Sequence, residues 1–132
     1  MRTKTQIKLV RNLTPDEYRK CKSLNFRYNG CMMYDLPMAK KKYPTSRVVM
    51  IKDAETDMLI AWCLAIPSYS TGQYVTQYYV RVKFRRRGFG DRLIKNVRKF
   101  EPSPVVMPHD RPSRGFFRKH QQNVIVNNSY SL

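Results

Sequence analysis

The chain has 132 residues, 42% of them hydrophobic, with 26 Lys and Arg against 9 Asp and Glu, a net charge of +17 and a pI near 10.2. That length suits one domain over residues 1–132, and the hydrophobic share excludes disorder from low hydrophobicity. The opening MRTKTQIKLV lacks a signal peptide's apolar region, and no run approaches about 18 apolar residues, so a cytoplasmic protein without a membrane span is expected.

"QIKLVRNL" alternates like a first strand, with Ile7 and Leu9 on one side. "TPDEYRKCKSL" then opens like a helix: Thr14 caps it, Pro15 fits the first turn, and Thr14 with Glu17 makes a capping box. "NFRYNGCMMYDLPMAKKKYP" predicts a second short helix bounded by breakers at Gly30, Pro37 and Pro44, with Lys40–Lys42 in a solvated turn. "SRVVMIKD" and "MLIAWCLAIP" are apolar runs joined by the acidic turn "AETD", a hairpin buried on both faces.

"GQYVTQYYVRVKFR" predicts a long strand in which Val80 and Val82 point one way and Arg81 and Lys83 the other. After Gly90 the period becomes helical, with Phe89, Leu93, Ile94, Val97 and Phe100 on one face and Arg92, Lys95, Arg98 and Lys99 on the polar side. "PSPVVMP" reads as a short strand, "RPSRGFFRKHQQ" as a short helix and "NVIVNN" as a closing strand. The sum is an α/β arrangement, a mixed sheet with helices on both faces.

Charge is uneven. Residues 1–70 carry 13 basic against 6 acidic side chains and residues 71–132 carry 13 against 3, so the second part supplies +10. Such a field draws acidic partners: nucleic acid, acidic protein faces or phosphorylated small molecules. Cys21, Cys31 and Cys63, with His109 and His120, form no zinc-ligand spacing, so no metal is expected and the thiols read as reduced and buried.

The chemistry concentrates in "KFRRRGFGDRLI", Lys83–Ile94. Arg87–Gly90 matches the start of an RNA-recognition signature that works on a strand, where alternate aromatics stack on bases. Here Asp91 and Ile94 stand where two of the platform's rings belong, and the periodicity is helical. The alternative is a backbone cradle: a strand ending in Gly-x-Gly and feeding a helix presents unpaired N–H groups that suit a phosphate, with arginines adding charge.

"YVRVKFRRRGFGDRLI", Tyr79–Ile94, resembles the core motif of the GNAT superfamily of acyl-CoA-dependent acyltransferases, V-x-x-x-x-Q/R-x-x-G-x-G/A, with Val80, Arg85, Gly88 and Gly90 at its positions. The element order resembles that fold over most of the chain, and "RGFFRKH" is similar to the family's late helix. The resemblance implies a sheet splayed at the long central strand and acetyl-CoA, or another acyl-CoA, as cofactor. It implies that Arg86, Arg87, Gly88, Phe89, Gly90 and Asp91 hold the pyrophosphate through their amides. The strand edge at Tyr79, Val80, Arg81 and Val82 would pair with the pantetheine arm, an N–H near Val80 polarising the thioester carbonyl. Phe117 matches the late-helix position on the cofactor side where many members carry a tyrosine acid, and Asp110 the position of a frequent asparagine.

Base candidates are few. Tyr78, with Gln77 beside it, lies on the long strand, where packing is the competing reading. His109 follows the short strand and is the histidine placed to titrate there; Asp110 is either a helix cap or a base. With few carboxylates near the expected acceptor entrance at Met32–Tyr34, a polycationic acceptor is disfavoured. A nucleic acid or nucleic-acid-bound protein is the expected partner of an N-acyltransferase here; the rival is a catalytically idle module of the same fold that binds DNA or RNA.

Overall fold

Residues 1–24, 36–68, 72–106 and 125–126 are described by the computed structural model. Strand β1 (Thr3–Leu9) pairs antiparallel with β2 (Arg47–Asp53), Thr3 opposite Asp53 and Leu9 opposite Arg47. β2 turns through the acidic loop into β3 (Leu59–Pro67). The Asp53 carboxylate accepts the amides of Glu55 (2.8 Å) and Thr56 (3.3 Å), and Asp57 takes a left-handed φ of 63°, which a short polar side chain tolerates. β4 (Tyr74–Val80) continues the antiparallel meander. β5 (Val105–Val106) joins parallel to β4, and β6 (Ile125–Val126) parallel to β5, giving a mixed sheet in the order β1 to β6.

Both faces are covered, which is why the β2 and β3 runs are continuously apolar. Helices α1 (Pro15–Ser23) and α2 (Leu36–Lys42) cover one face, where Cys21, Leu36 and Ala39 pack with Val48, Met50, Trp62 and Leu64. Helix α3 (Phe89–Val97) covers the other, where Phe89, Leu93 and Val97 meet Val49, Ile51, Ala61 and Cys63. Each of the buried Val, Leu, Ile, Met and Phe side chains contributes roughly 1.5–3 kcal/mol against leaving it exposed. The expected α/β architecture is the one observed; the late helix expected over Pro112–Gln122 lies outside the described residues.

The α1 start is as the local pattern requires. Thr14 Oγ1 accepts the Glu17 amide (3.1 Å) and the Glu17 carboxylate accepts the Thr14 amide (2.9 Å). Thr14→Ala should cost about 1 kcal/mol, read as a lower midpoint in urea with an unchanged slope.

Glu17 does more than cap. It is 5% exposed, and its carboxylate takes Lys8 Nζ at 2.8 Å and the buried Lys52 Nζ at 2.8 Å. Burial alone would raise its pKa, but bonds from Lys52, Lys8 and the Thr14 amide outweigh that and bring it down to about 2. The neighbouring Cys21 thiol is pushed up to about 12, by burial first and by the Glu17 charge second. Burial also raises Cys63, so both described cysteines are buried, protonated thiols; Cys31 lies outside the described residues.

Two local expectations are corrected. Pro37 sits inside the first turn of α2, where its missing N–H costs nothing, and Lys40–Lys42 form that helix's exposed last turn and not a loop. The long strand stops at Val80: after Arg81 a 3-10 turn over Val82–Phe84 replaces the extended chain, leaving Val82 74% exposed. The Arg81 amide makes a last bond to β3 at Ile60 O (2.9 Å), and the tighter turn then swings Phe84 inward against Phe89, edge to face at 6.0 Å. Burying Phe84 overrides the alternation that made this stretch read as strand.

Candidate cofactor site

Strand parity decides which β4 groups are available. Because the Arg81 amide bonds Ile60 O, odd-numbered β4 residues direct their backbone groups to β3, and Thr76, Tyr78 and Val80 direct theirs to the opposite edge. That edge is occupied at its start: the Tyr74 amide donates to Glu101 Oε2 (3.0 Å), and Val75–Thr76 pair with Val105–Val106. Among the described residues the pairing with β5 ends at Thr76, and none of them bonds the Val80 amide. Arg85 Nε donates to Val80 O at 3.1 Å, tying the turn to this edge.

The turn itself is held by aromatic anchors. Lys83 and Arg87 lie over the Phe84 ring at 5.2 and 5.6 Å, and Arg92 over Phe89 at 5.2 Å. Arg86 has a positive φ of 62° and Gly88 one of 82°, so the chain reverses sharply just before α3. Gly88 is the helix N-cap and supplies no side-chain cap; the first intrahelical bond is Arg92 N–H to Gly88 O (3.1 Å). The amides of Phe89 and Gly90 precede that bond, at the positive end of the helix dipole. A Cβ on Gly88 would meet nothing within 4 Å among the described residues, so that side of the turn is open there. Arg85, Arg86 and Arg87 are exposed around it. Uncapped amides, open space and three guanidinium groups form a set that fits a diphosphate.

The candidate residues divide by orientation. Val80 has its amide on the edge away from β3, while Tyr79 is buried, stacked on Trp62 at 4.9 Å toward α1, and Arg81 Nε closes the end of β3 at Leu59 O (3.0 Å). Asp91 lies in the first turn of α3, where a carboxylate suits the dipole. Tyr78 faces the α3 side; its hydroxyl oxygen is buried, and burial, then the nearby Cys63, pushes the phenol well above its ordinary value. Tyr78 is thus a neutral phenol at physiological pH. Gln77, on the opposite face, accepts from the Tyr79 hydroxyl at 3.4 Å. His109, Asp110, Phe117 and the Met32–Tyr34 stretch lie outside the described residues.

The RNA-recognition fragment sits on α3 and not on a strand, so its rings do not form a stacking platform. Sequence reasoning passed over Glu101, an 8%-exposed carboxylate that also accepts the Ser103 amide (3.0 Å) and so pins the end of α3 to the start of the β4 edge. Nothing in its local sequence marks it. A cavity lined by Ile7, Lys8, Leu9, Asn12 and Arg47 lies at the β1 edge, away from the turn.

No protein-family model and no curated protein matches this chain. Solved structures do. An acyl-CoA N-acyltransferase from Pseudomonas aeruginosa superposes with a TM-score of 0.60 at 17% identity, over 74% of this chain and 69% of that one. A ribosomal-protein-alanine N-acetyltransferase from Brucella melitensis biovar Abortus 2308 gives 0.56 at 14%, over 96% and 94%. An aminoglycoside acetyltransferase from an uncultured soil metagenomic sample, in complex with trehalose, gives 0.58 at 12%, over 92% and 86%. The chain has the GNAT-type acyl-CoA N-acyltransferase fold, as its central motif implied. No described helix is long and apolar enough to cross a membrane.

Proposed function

We propose that the chain is a single-domain, cytoplasmic, acyl-CoA-dependent N-acyltransferase, with acetyl-CoA as donor. The observation that carries this reading is the uncapped start of α3 behind Gly88, set near the Val80 amide, which no described residue bonds. The cofactor supplies an acyl group already activated as a thioester. The chain's part is positioning: Phe89 and Gly90 amides with Arg85–Arg87 hold the diphosphate, and the Val80 amide is the donor available to an acyl carbonyl. Burial holds the Tyr78 phenol well above its ordinary value, which disfavours it as a base, and proton removal from the amine falls to His109, Asp110 or ordered water.

The structural neighbours are named for an aminoglycoside and for a ribosomal-protein alanine. A chain with a net charge of +17 repels a polycation, which favours an acceptor amine on a nucleic acid or on a protein bound to one. Release of free thiol from acetyl-CoA, measured with nucleic acid, ribonucleoprotein and small amines as acceptors, tests this. Release that depends on the acidic macromolecular fraction is expected. Tight acetyl-CoA binding with no release on any acceptor would support the idle binding module instead, a reading that rests on Phe117 replacing the usual acid.

A further inference from the structure

Acidic residues are not spread evenly over this surface. The ion pairs among the described residues all use Asp16, Glu17 or Asp57, which neutralise Lys4, Lys8, Arg19, Lys20 and Lys52 on the β1, α1 and hairpin-turn side. The α3 side has Asp91 at its start and Glu101 at its end, and Glu101 is consumed by two backbone amides. At the C-terminal end of α3, Lys95, Arg98 and Lys99 are exposed, with no ion pair among the described residues. Their spacing of i, i+3 and i+4 puts the three on one side, since the turn that follows Val97 keeps helix-like bonds (Arg98 N–H to Ile94 O 3.0 Å, Phe100 N–H to Val97 O 3.1 Å). Arg47 stacks on Phe100 at 4.9 Å and adds a fourth cation beside them.

We infer that this face is a docking surface for the phosphate backbone of a nucleic acid, separate from the cofactor turn at the other end of α3. Like charges at these spacings repel in the free protein, so a polyanion there relieves a strain built into the helix. The exposed large hydrophobic residues among those described are Met1, Ile7 and Val82, none on this face, and the Phe100 ring is covered by Arg47 and Tyr74 (5.1 Å). Without an exposed ring there is nothing to stack on bases, so the contact is to phosphates and independent of sequence. Lys40–Lys42 carry the same charge but, as consecutive helical residues, point in three directions, with Lys40 held over Tyr18 at 4.9 Å. The surface gives a location to the acidic partner proposed above and rests on that reading only for its part in acyl transfer.

The test compares two variants of equal net charge, Lys95→Ala/Arg98→Ala/Lys99→Ala and Lys40→Ala/Lys41→Ala/Lys42→Ala, binding a random-sequence 20-base-pair duplex DNA across a salt series. The α3 variant should lose roughly 3 from the slope of log K against log salt and about a hundredfold in affinity near 0.1 M salt. The α2 variant should lose less than about threefold, and sequence-scrambled duplexes should bind alike. Equal losses in the two variants would overturn the assignment to α3. Displacement of the DNA by polyglutamate at equal charge would overturn nucleic acid in favour of an acidic protein. Both variants should keep their acetyl-CoA-induced thermal stabilisation. If the unaltered chain shows none while the α3 variant still loses DNA, the transferase reading fails and this surface stands.

Discussion

Acetyl-CoA at a hundredfold its Kd should stabilise the folded chain by about 2.7 kcal/mol, a rise in Tm of roughly 10 °C for a domain of this size, and Gly88→Val should abolish the rise. The reason is local. Gly88 sits at φ 82° with open space where a side chain would stand, directly before the amides of Phe89 and Gly90. A branched side chain there would fill the place proposed for the diphosphate and also strains the left-handed backbone, costing on the order of 1–2 kcal/mol without ligand. Each protein is therefore compared with its own ligand-free melting curve, which separates lost binding from lost stability. A Gly88→Val variant that gains as many degrees from acetyl-CoA as the parent would show that the α3 start does not hold the cofactor. Differential scanning fluorimetry with graded acetyl-CoA makes the measurement.

Replacing Glu17 with alanine should cost about 3–5 kcal/mol, because Lys52, buried at 3% exposure, loses its close carboxylate and keeps only Asp57 at 3.9 Å. The same group predicts an acid transition. The Glu17 pKa falls from 4.5 unfolded to about 2 folded, so its contribution is complete above about pH 4.5 and is lost as the pH falls toward 2. The stake is on the order of 3 kcal/mol. Urea midpoints for the parent should decline across that window, and those of Glu17→Gln should decline less. Parallel declines in the two proteins would assign the acid sensitivity to other carboxylates.

The α1 capping box, the β2–β3 hairpin and the apolar face of α3 were legible because each is written in neighbouring residues: a cap at fixed spacing, two apolar runs about a turn, a 3.6 period. The sharp turn before α3 was legible for the same reason, since Arg85–Arg87 and Gly88 are contiguous. Glu17 was read only as a cap because Lys52, its buried partner, lies 35 residues away. The β4 end was misread because alternation through Val80–Lys83 persists in the sequence while Phe84 is drawn inward by α3, a contact made only once the helix has packed.

The amino acids in order determined the kind of elements, their succession, the basic excess and the glycine-bearing turn before α3, all properties of short stretches. Tertiary structure alone decided which β4 amides point away from β3, that Glu101 bonds the start of that edge, and that Lys95, Arg98 and Lys99 lie exposed without an ion pair among the described residues. Those depend on strand parity, register and the placing of distant carboxylates, which exist only when separate segments meet.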